Sequence, residues 1–203
     1  MGGLDLLLSQ SLEKTIRDNL GQKASQKIEA RLFEKYGISL VQSIEQFQKI
    51  DAVLREFFGA GADGLEKKFL DSICRAKNKR EGSNWFTLEE SLINHKILES
   101  YGDDDKSQIM NCVNVDAKII SEILAECKIP QTSGYRKINS LIKDGLLVEE
   151  GHVVSHDGRK VSKYRTLFDN IRINIIKNKI TVDFQLNRPD FNESTVLQVI
   201  HSS

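Results

Sequence analysis

The sequence predicts a mainly α-helical chain with a smaller β component, an α+β protein. Three observations carry that expectation. Apolar residues recur at helical spacing through the first 75 residues, and three short helix-like runs follow between residues 103 and 145. From residue 146 the pattern turns to alternation around two turn signals. The expected organisation is a helical N-terminal domain over 1–76, a linker and connector helix over 77–102, and a C-terminal domain over 103–203.

The N-terminal helices read one by one. Leu8, Leu12, Ile16 and Leu20 form a stripe on one helical face, and Gly21 is placed to end that helix. A second helix carries Ile28, Leu32, Phe33 and Tyr36 and stops at Gly37. Ser39 is a candidate cap for a third, with Leu40, Ile44, Phe47, Leu54 and Phe58 in line. Leu65, Phe69 and Ile73 mark a fourth, which would take in Cys74. Short helices with one apolar face each imply a small bundle.

Between the third and fourth lies Gly59–Gly64, GAGADG, which matches the dinucleotide pattern G-x-G-x-x-G. Pyrophosphate binding needs a strand entering the glycines and a helix leaving them. Here the preceding run, IEQFQKIDAVLREFF, has helical and not strand spacing. The glycines therefore read as an interhelical turn that lets two helices, or two subunits, approach closely, with Asp63 as a candidate cap.

Residues 76–84, AKNKREGSN, are the linker candidate. Thr87-Leu88-Glu89-Glu90 then fits a capping box for a helix carrying Leu92, Ile93, Ile97 and Leu98.

Composition bounds the function. Lys+Arg and Asp+Glu are 29 each, but residues 1–80 hold 14 against 11, residues 81–130 hold 4 against 10, and residues 131–203 hold 11 against 8. The acidic middle conceals two basic ends. No run is long and apolar enough to span a membrane, and the N-terminal stretch lacks a basic region before its leucines, so a cytoplasmic protein without membrane association is expected. Cys74, Cys112 and Cys127 are odd in number and widely spaced, which implies reduced thiols. His152 and His156 face each other across a turn and not along a helix, so neither a metal nor another cofactor is expected. No nucleophile–base or paired-carboxylate motif is visible, which argues against an enzyme.

The C-terminal part is the most specific. DDDKSQIMNCV is a short helix with Ile109, Met110 and Val113 inward. AKIISEILAECKIP is a second, ending in a turn through Lys128, Ile129 and Pro130. QTSGYRKINSLIKDG is a third, with Ile138, Leu141 and Ile142 inward and Gly145 as its stop. Two helices and a short turn leading to a helix rich in polar and basic residues read as a helix-turn-helix. LLVEEGHVV and VSKYRTLF then flank SHDGRK, a hairpin with basic residues at its tip, as a wing requires. The run IRINIIKNKITVDFQL reads as a second hairpin turning at Lys177-Asn178-Lys179, extending the wing sheet or pairing across a dimer, and NESTVLQVI as a helical packing tail.

The run IPQTSGYRKINSLIKDGLL followed by DGRKVSKY resembles the archaeal winged helix-turn-helix transcription regulators of ArsR- and MarR-like fold, over roughly residues 100–186. Residues 4–73 resemble an archaeal helical domain of the Nitrosopumilus output domain type. The resemblance implies a sequence-specific regulator of double-stranded DNA, acting as a homodimer, with residues 1–76 available to a protein partner. It implies that Gln131, Thr132 and Ser133 at the recognition-helix N-terminus meet phosphate, and that Tyr135, Arg136 and Asn139 face the major groove. Arg159 and Lys160 at the wing tip, with Lys137, Lys143, Lys163 and Arg165, would contact the backbone. Gly134 departs from the family, which places a small apolar residue there, and would let the preceding helix approach closely. The acids at 103–105 and 149–150 would repel phosphate if they shared that face. Winged helices also serve as protein-interaction modules, so an interaction or oligomerisation module that binds no DNA is the alternative.

Overall fold

The computed structural model describes residues 3–44, 46–76, 85–155 and 157–186. Gly21 shapes the first element. Helix α1 runs Gly3–Tyr36, but Gly21 has φ 75° and ψ 164°, so two helical rods meet there at a kink. Leu4, Leu8, Leu12 and Ile16 are buried along the first rod, and Ile28 and Leu32 along the second. Gly37, also left-handed at φ 65°, closes the second rod by donating its N–H to the Phe33 carbonyl at 2.8 Å.

Ser39 caps as its side chain suggests. Its hydroxyl accepts from the Gln42 N–H at 3.3 Å, and the Gln42 side chain accepts from the Ser39 N–H at 2.9 Å. The helix it starts is short, α2 (Leu40–Ile44), and the expected third helix resumes as α3 (Phe47–Phe58). Phe47, Ile50, Val53 and Leu54 are buried on α3, whereas Phe58 is exposed. Helix α4 (Gly61–Ile73) starts four residues before Leu65. Asp63 therefore lies inside its first turn and ion-pairs with Arg55, with no capping hydrogen bond at the helix start. Of the three glycines in the motif, Gly59 has a backbone that disfavours other residues, at φ 55° and ψ −131°. A Cβ at Gly59 or Gly64 would meet nothing within 4 Å, and at Gly61 the nearest atom is 4.0 Å away. Within the chain these glycines form a corner, not a close helix–helix approach.

The next two elements differ from the expected helices. Strand β1 (Cys74–Ala76) follows α4 without a loop, and strand β2 (Trp85–Leu88) pairs with it antiparallel. Cys74 is thus a buried strand residue. Thr87 lies in β2, where its hydroxyl donates to Asp183 at 2.7 Å, and does not cap a helix. Helix α5 (Ser91–Gly102) is capped instead by Glu90, whose carboxylate accepts from the Ile93 N–H at 3.0 Å and from the Ser11 hydroxyl at 3.1 Å. Glu90 was the far member of the expected capping box. The β-branched and aromatic content of WFTL wins over the box.

Next come α6 (Asp104–Cys112), β3 (Lys118–Ile119), α7 (Ile120–Cys127), α8 (Gln131–Lys143), β4 (Leu147–Val154) and β5 (Lys160–Thr166), and a hairpin of β6 (Phe168–Ile176) and β7 (Lys179–Leu186) closes the described chain. Lys177 and Asn178 turn that hairpin with φ of 49° and 62°, the paired left-handed residues a two-residue hairpin demands. The hairpin does not extend the β4–β5 sheet. Strand β7 pairs with β2, which gives a four-stranded antiparallel sheet of order β1-β2-β7-β6 and a separate three-stranded sheet of order β3-β5-β4. The expected C-terminal helix lies at residues 187–203, outside the described residues.

Aromatic packing holds the four-stranded sheet. Phe184 of β7 stacks on Phe86 of β2, its register partner, with centroids 5.5 Å apart, and meets Phe168 at 4.9 Å. Buried Asn94 of α5 donates to the Leu88 carbonyl at 3.0 Å and to the Ile180 carbonyl at 3.2 Å, pinning the helix to two adjacent strands. No helix among the described residues is long and apolar enough to cross a membrane. Phe184→Ala removes the ring shared by both contacts and is expected to destabilise the protein by about 3–5 kcal/mol. Urea unfolding followed by circular dichroism checks this.

Candidate nucleic-acid interface

Helix α8 is amphipathic, and its sequence sorts into three faces. Gly134, Ile138 and Leu141 are buried against α6 and α7 with Ile109, Met110, Val113, Ile123 and Leu124. Glycine at 134 lets two side chains close over the helix. A Cβ there would lie 2.1 Å from Leu124 Cδ2 and 3.2 Å from Ile129 Cγ2. The reading of Gly134 as a close-approach residue thus has a geometric cause. The turn between the helices is tight because Lys128 takes a left-handed conformation, φ 55°, and the Ile129 N–H reaches the Leu124 carbonyl at 3.2 Å.

The second face is a row of polar ties to α5 and α6. Lys137 Nζ lies 2.7 Å from Asp103 Oδ1 and 2.9 Å from Asp105 Oδ2. Lys106 Nζ donates to the Ser140 hydroxyl at 3.1 Å, and Lys96 Nζ lies 2.9 Å from Asp144 Oδ1. Lys137, Ser140 and Asp144 recur at i, i+3 and i+7, one helical stripe. Asp103 also caps α6, accepting from the Lys106 N–H at 3.0 Å. The hydrogen bond from Lys137, then that of the cap, holds the Asp103 carboxyl below the usual aspartate range, and Asp103, then Asp105, raises the Lys137 ammonium.

The third face points to solvent. Gln131, Thr132, Tyr135, Arg136, Asn139 and Lys143 are all exposed on it, and none is acidic. Ser133 is half-buried, its hydroxyl donating back to the Pro130 carbonyl at 3.1 Å. No side chain caps the start of α8, so the N–H groups of its first turn are left for other acceptors.

The hairpin of β4 and β5 follows directly, tied to the end of α8 by the Leu146 N–H donating to the Leu141 carbonyl at 2.9 Å. A bulge between Glu149 and His152, with Gly151 at φ 76°, bends β4. At the tip Ser155 bonds back to the Arg159 carbonyl through both its N–H, at 2.8 Å, and its hydroxyl, at 3.0 Å. The Arg159 side chain is 83% exposed, with Nε 3.2 Å from Asp157, a surface pair too solvated to hold it in place. Lys160 is exposed and Lys163 half-buried.

Thus the structure brings Gln131, Thr132, Tyr135, Arg136 and Asn139 together on one face, and places Arg159 and Lys160 at the hairpin tip. Three cations fall elsewhere, and Lys163 is the first, half-buried on β5 opposite Ile119 of β3. Lys137 is engaged by α6 acids on the flank. Arg165 is buried, donating to the Thr166 carbonyl at 2.9 Å with Nε 2.8 Å from Glu150. Their partners Asp103, Asp105 and Glu150 belong to the acidic runs that would have opposed a phosphate. His156 lies outside the described residues. The sequence signal missed for Lys137 is its spacing from Ser140 and Asp144 on one helical stripe.

Comparison with protein-family models, with curated proteins and with solved structures finds no match to this chain. The functional argument therefore rests on this geometry.

Two outcomes are expected from it. Gly134→Val forces a branched side chain into Leu124 and Ile129 and should cost about 1–3 kcal/mol, read by urea unfolding. Asp103→Asn should lower the melting temperature at neutral pH. Because the folded-state pKa of Asp103 is depressed, its contribution is present above the ordinary aspartate range and is lost as pH falls through the folded value. The difference between wild type and Asp103→Asn should therefore shrink below about pH 4, as melting curves across pH 3–7 would show.

Proposed function

We propose that this chain is a sequence-specific double-stranded DNA-binding regulator of transcription, with α6, α7 and α8 as its helix-turn-helix and β4–β5 as its wing. The observation that carries the reading is the acid-free exposed face of α8. Its groups match the chemistry of base edges, since Arg136 can offer two donors to guanine and Asn139 a donor and acceptor to adenine. The uncapped N–H groups of the first turn, with the Thr132 hydroxyl, suit a phosphate oxygen. Arg159 and Lys160 at the tip of a bent hairpin supply the sequence-independent contact. A homodimer would set two recognition helices about 34–36 Å apart on a pseudo-palindrome. No cofactor or catalytic role enters this reading, and a cytoplasmic location goes with it.

One observation favours the rival reading of an interaction module working through residues 1–76. Phe57 and Phe58 are both exposed, with ring centroids 6.5 Å apart, and line a groove with Lys23, Lys27 and Ile28, an aromatic pair open to a partner. The rival predicts no duplex binding at low salt.

Gel-shift titration against random and selected duplex at two salt concentrations separates them. Arg136→Ala is expected to weaken selected-site binding about 5- to 150-fold and relax sequence preference. Arg159→Ala should weaken all duplexes alike and reduce the salt slope by about 1. Duplex binding that neither substitution alters would sink the assignment.

A further inference from the structure

The corner between α3 and α4 holds a side-chain cluster that DNA binding does not use. Asp51 on α3, and Asp63 and Glu66 on α4, each bring a carboxylate oxygen within 4.8 Å of the other two. Glu66 is 1% exposed, and its Oε1 has no hydrogen-bond partner. A buried, unpaired carboxylate oxygen is costly to leave so, and it lies among two further carboxylates that would repel it if ionised. One cation already stands nearby. Arg55 Nε is 2.7 Å from Asp51 Oδ1 and its Nη2 pairs with Asp63 Oδ1, so its guanidinium bridges those two carboxylates. The Arg55 side chain is 48% exposed, so water screens both of its ion pairs.

We propose that Asp51, Asp63 and Glu66 form a binding site for a hard divalent cation, of the Ca2+, Mg2+ or Mn2+ class, which takes the place Arg55 holds between the carboxylates. The donor set is oxygen only, which suits these ions and not the nitrogen- and sulfur-seeking Zn2+. Oxygens around one such ion, at about 2.0–2.6 Å from it, lie within about 5 Å of each other, the spacing found here. Three carboxylates leave room for water in the remaining positions, as Mg2+ and Ca2+ require. Asp51 and Asp63 are partly exposed, which gives the ion a path in, while Glu66 supplies the buried anchor. An ion there would tie α3 to α4 across the Gly59 corner. The GAGADG motif would then contribute a metal ligand, Asp63, in place of a nucleotide cradle. A proton is the competing occupant, since burial, then the charge of Asp51 and a hydrogen bond that a protonated Glu66 shares with it, push the Glu66 carboxyl up to about 8.

The site stands apart from α8 and the hairpin, so its test is independent of DNA binding. The full chain, stripped with a chelator, is titrated calorimetrically with CaCl2, MgCl2 and MnCl2 in turn. The proposal expects one-to-one binding of at least one ion with a dissociation constant below about 1 mM, weakened at least about tenfold by Glu66→Gln and by Asp63→Asn. Asp104→Asn, on an acid outside the cluster, should leave it unchanged. Absence of saturable binding by all three ions overturns the proposal, as does binding that Asp63→Asn leaves intact. Asp63 is a surface residue, so that variant remains informative even where Glu66→Gln fails to fold.

Discussion

The pairing of β2 with β7 is the constraint on which the rest of the chain is arranged. It joins residues nearly a hundred positions apart, as in the bond from Thr87 to Asp183, and it seals the contact with the Phe86–Phe184 stack. Closing so large a loop costs entropy, which local strand propensity does not repay. The buried aromatic rings must repay it. Once β7 is committed to β2, its hairpin partner β6 goes with it, and neither strand is available to the β4–β5 sheet. The N-terminal helices are drawn in too, because β1 continues α4 without a break and the Glu89 N–H donates to the Ile73 carbonyl at 2.8 Å. The Ser11–Glu90 bond then ties α1 to the cap of α5. Segments 74–88 and 168–186 thus meet in one sheet, and α5 leads from that sheet into α6.

That arrangement explains which parts of the chain its sequence discloses. Local signals read well: Gly21, Gly37 and Gly145 sit at helix ends, Ser39 caps, and the Lys177–Asn178 turn makes its hairpin. Each depends on a few adjacent residues. The misreadings involve partners outside the local pattern, most of them far away in sequence. Thr87 satisfies a local capping pattern, but Asp183 and the strand register decide its role. The alternation of β6 and β7 is legible, and the sheet they join is not, because alternation fixes which residues share a face and says nothing about the neighbouring strand. Asp63 likewise fits a cap until Arg55, one turn of α3 before the corner, competes for its carboxylate.

The candidate interface shows the same division. Periodicity separates the buried stripe of α8 from its polar remainder, since Ile138 and Leu141 have only one apolar environment to enter. It cannot divide the remainder into the flank that ties α8 to α5 and α6 and the face left to solvent. Lys137 and Arg136 are adjacent and chemically alike, yet one is closed between two aspartates and the other is exposed. Only the position of α6 distinguishes them.

Charge follows from this in a way that net composition conceals. The stretch from 81 to 130 carries 10 acids against 4 bases, and read alone it would oppose any anionic partner of the neighbouring helix. In the fold its acids are not distributed evenly over that surface. Asp103 and Asp105 are turned onto Lys137, Glu126 onto Lys118 at 2.7 Å, and in the next segment Asp144 is held by Lys96 and Glu150 by Arg165. These pairs are partly exposed and individually weak as stabilisers. Their larger effect is on geometry: each places an acid against a structural cation, and the pairs of Lys137 and Asp144 lie along the flank of α8. Arg136 and Lys143 then remain as the charges on its outward face, and a chain of zero net charge carries a locally positive helix face.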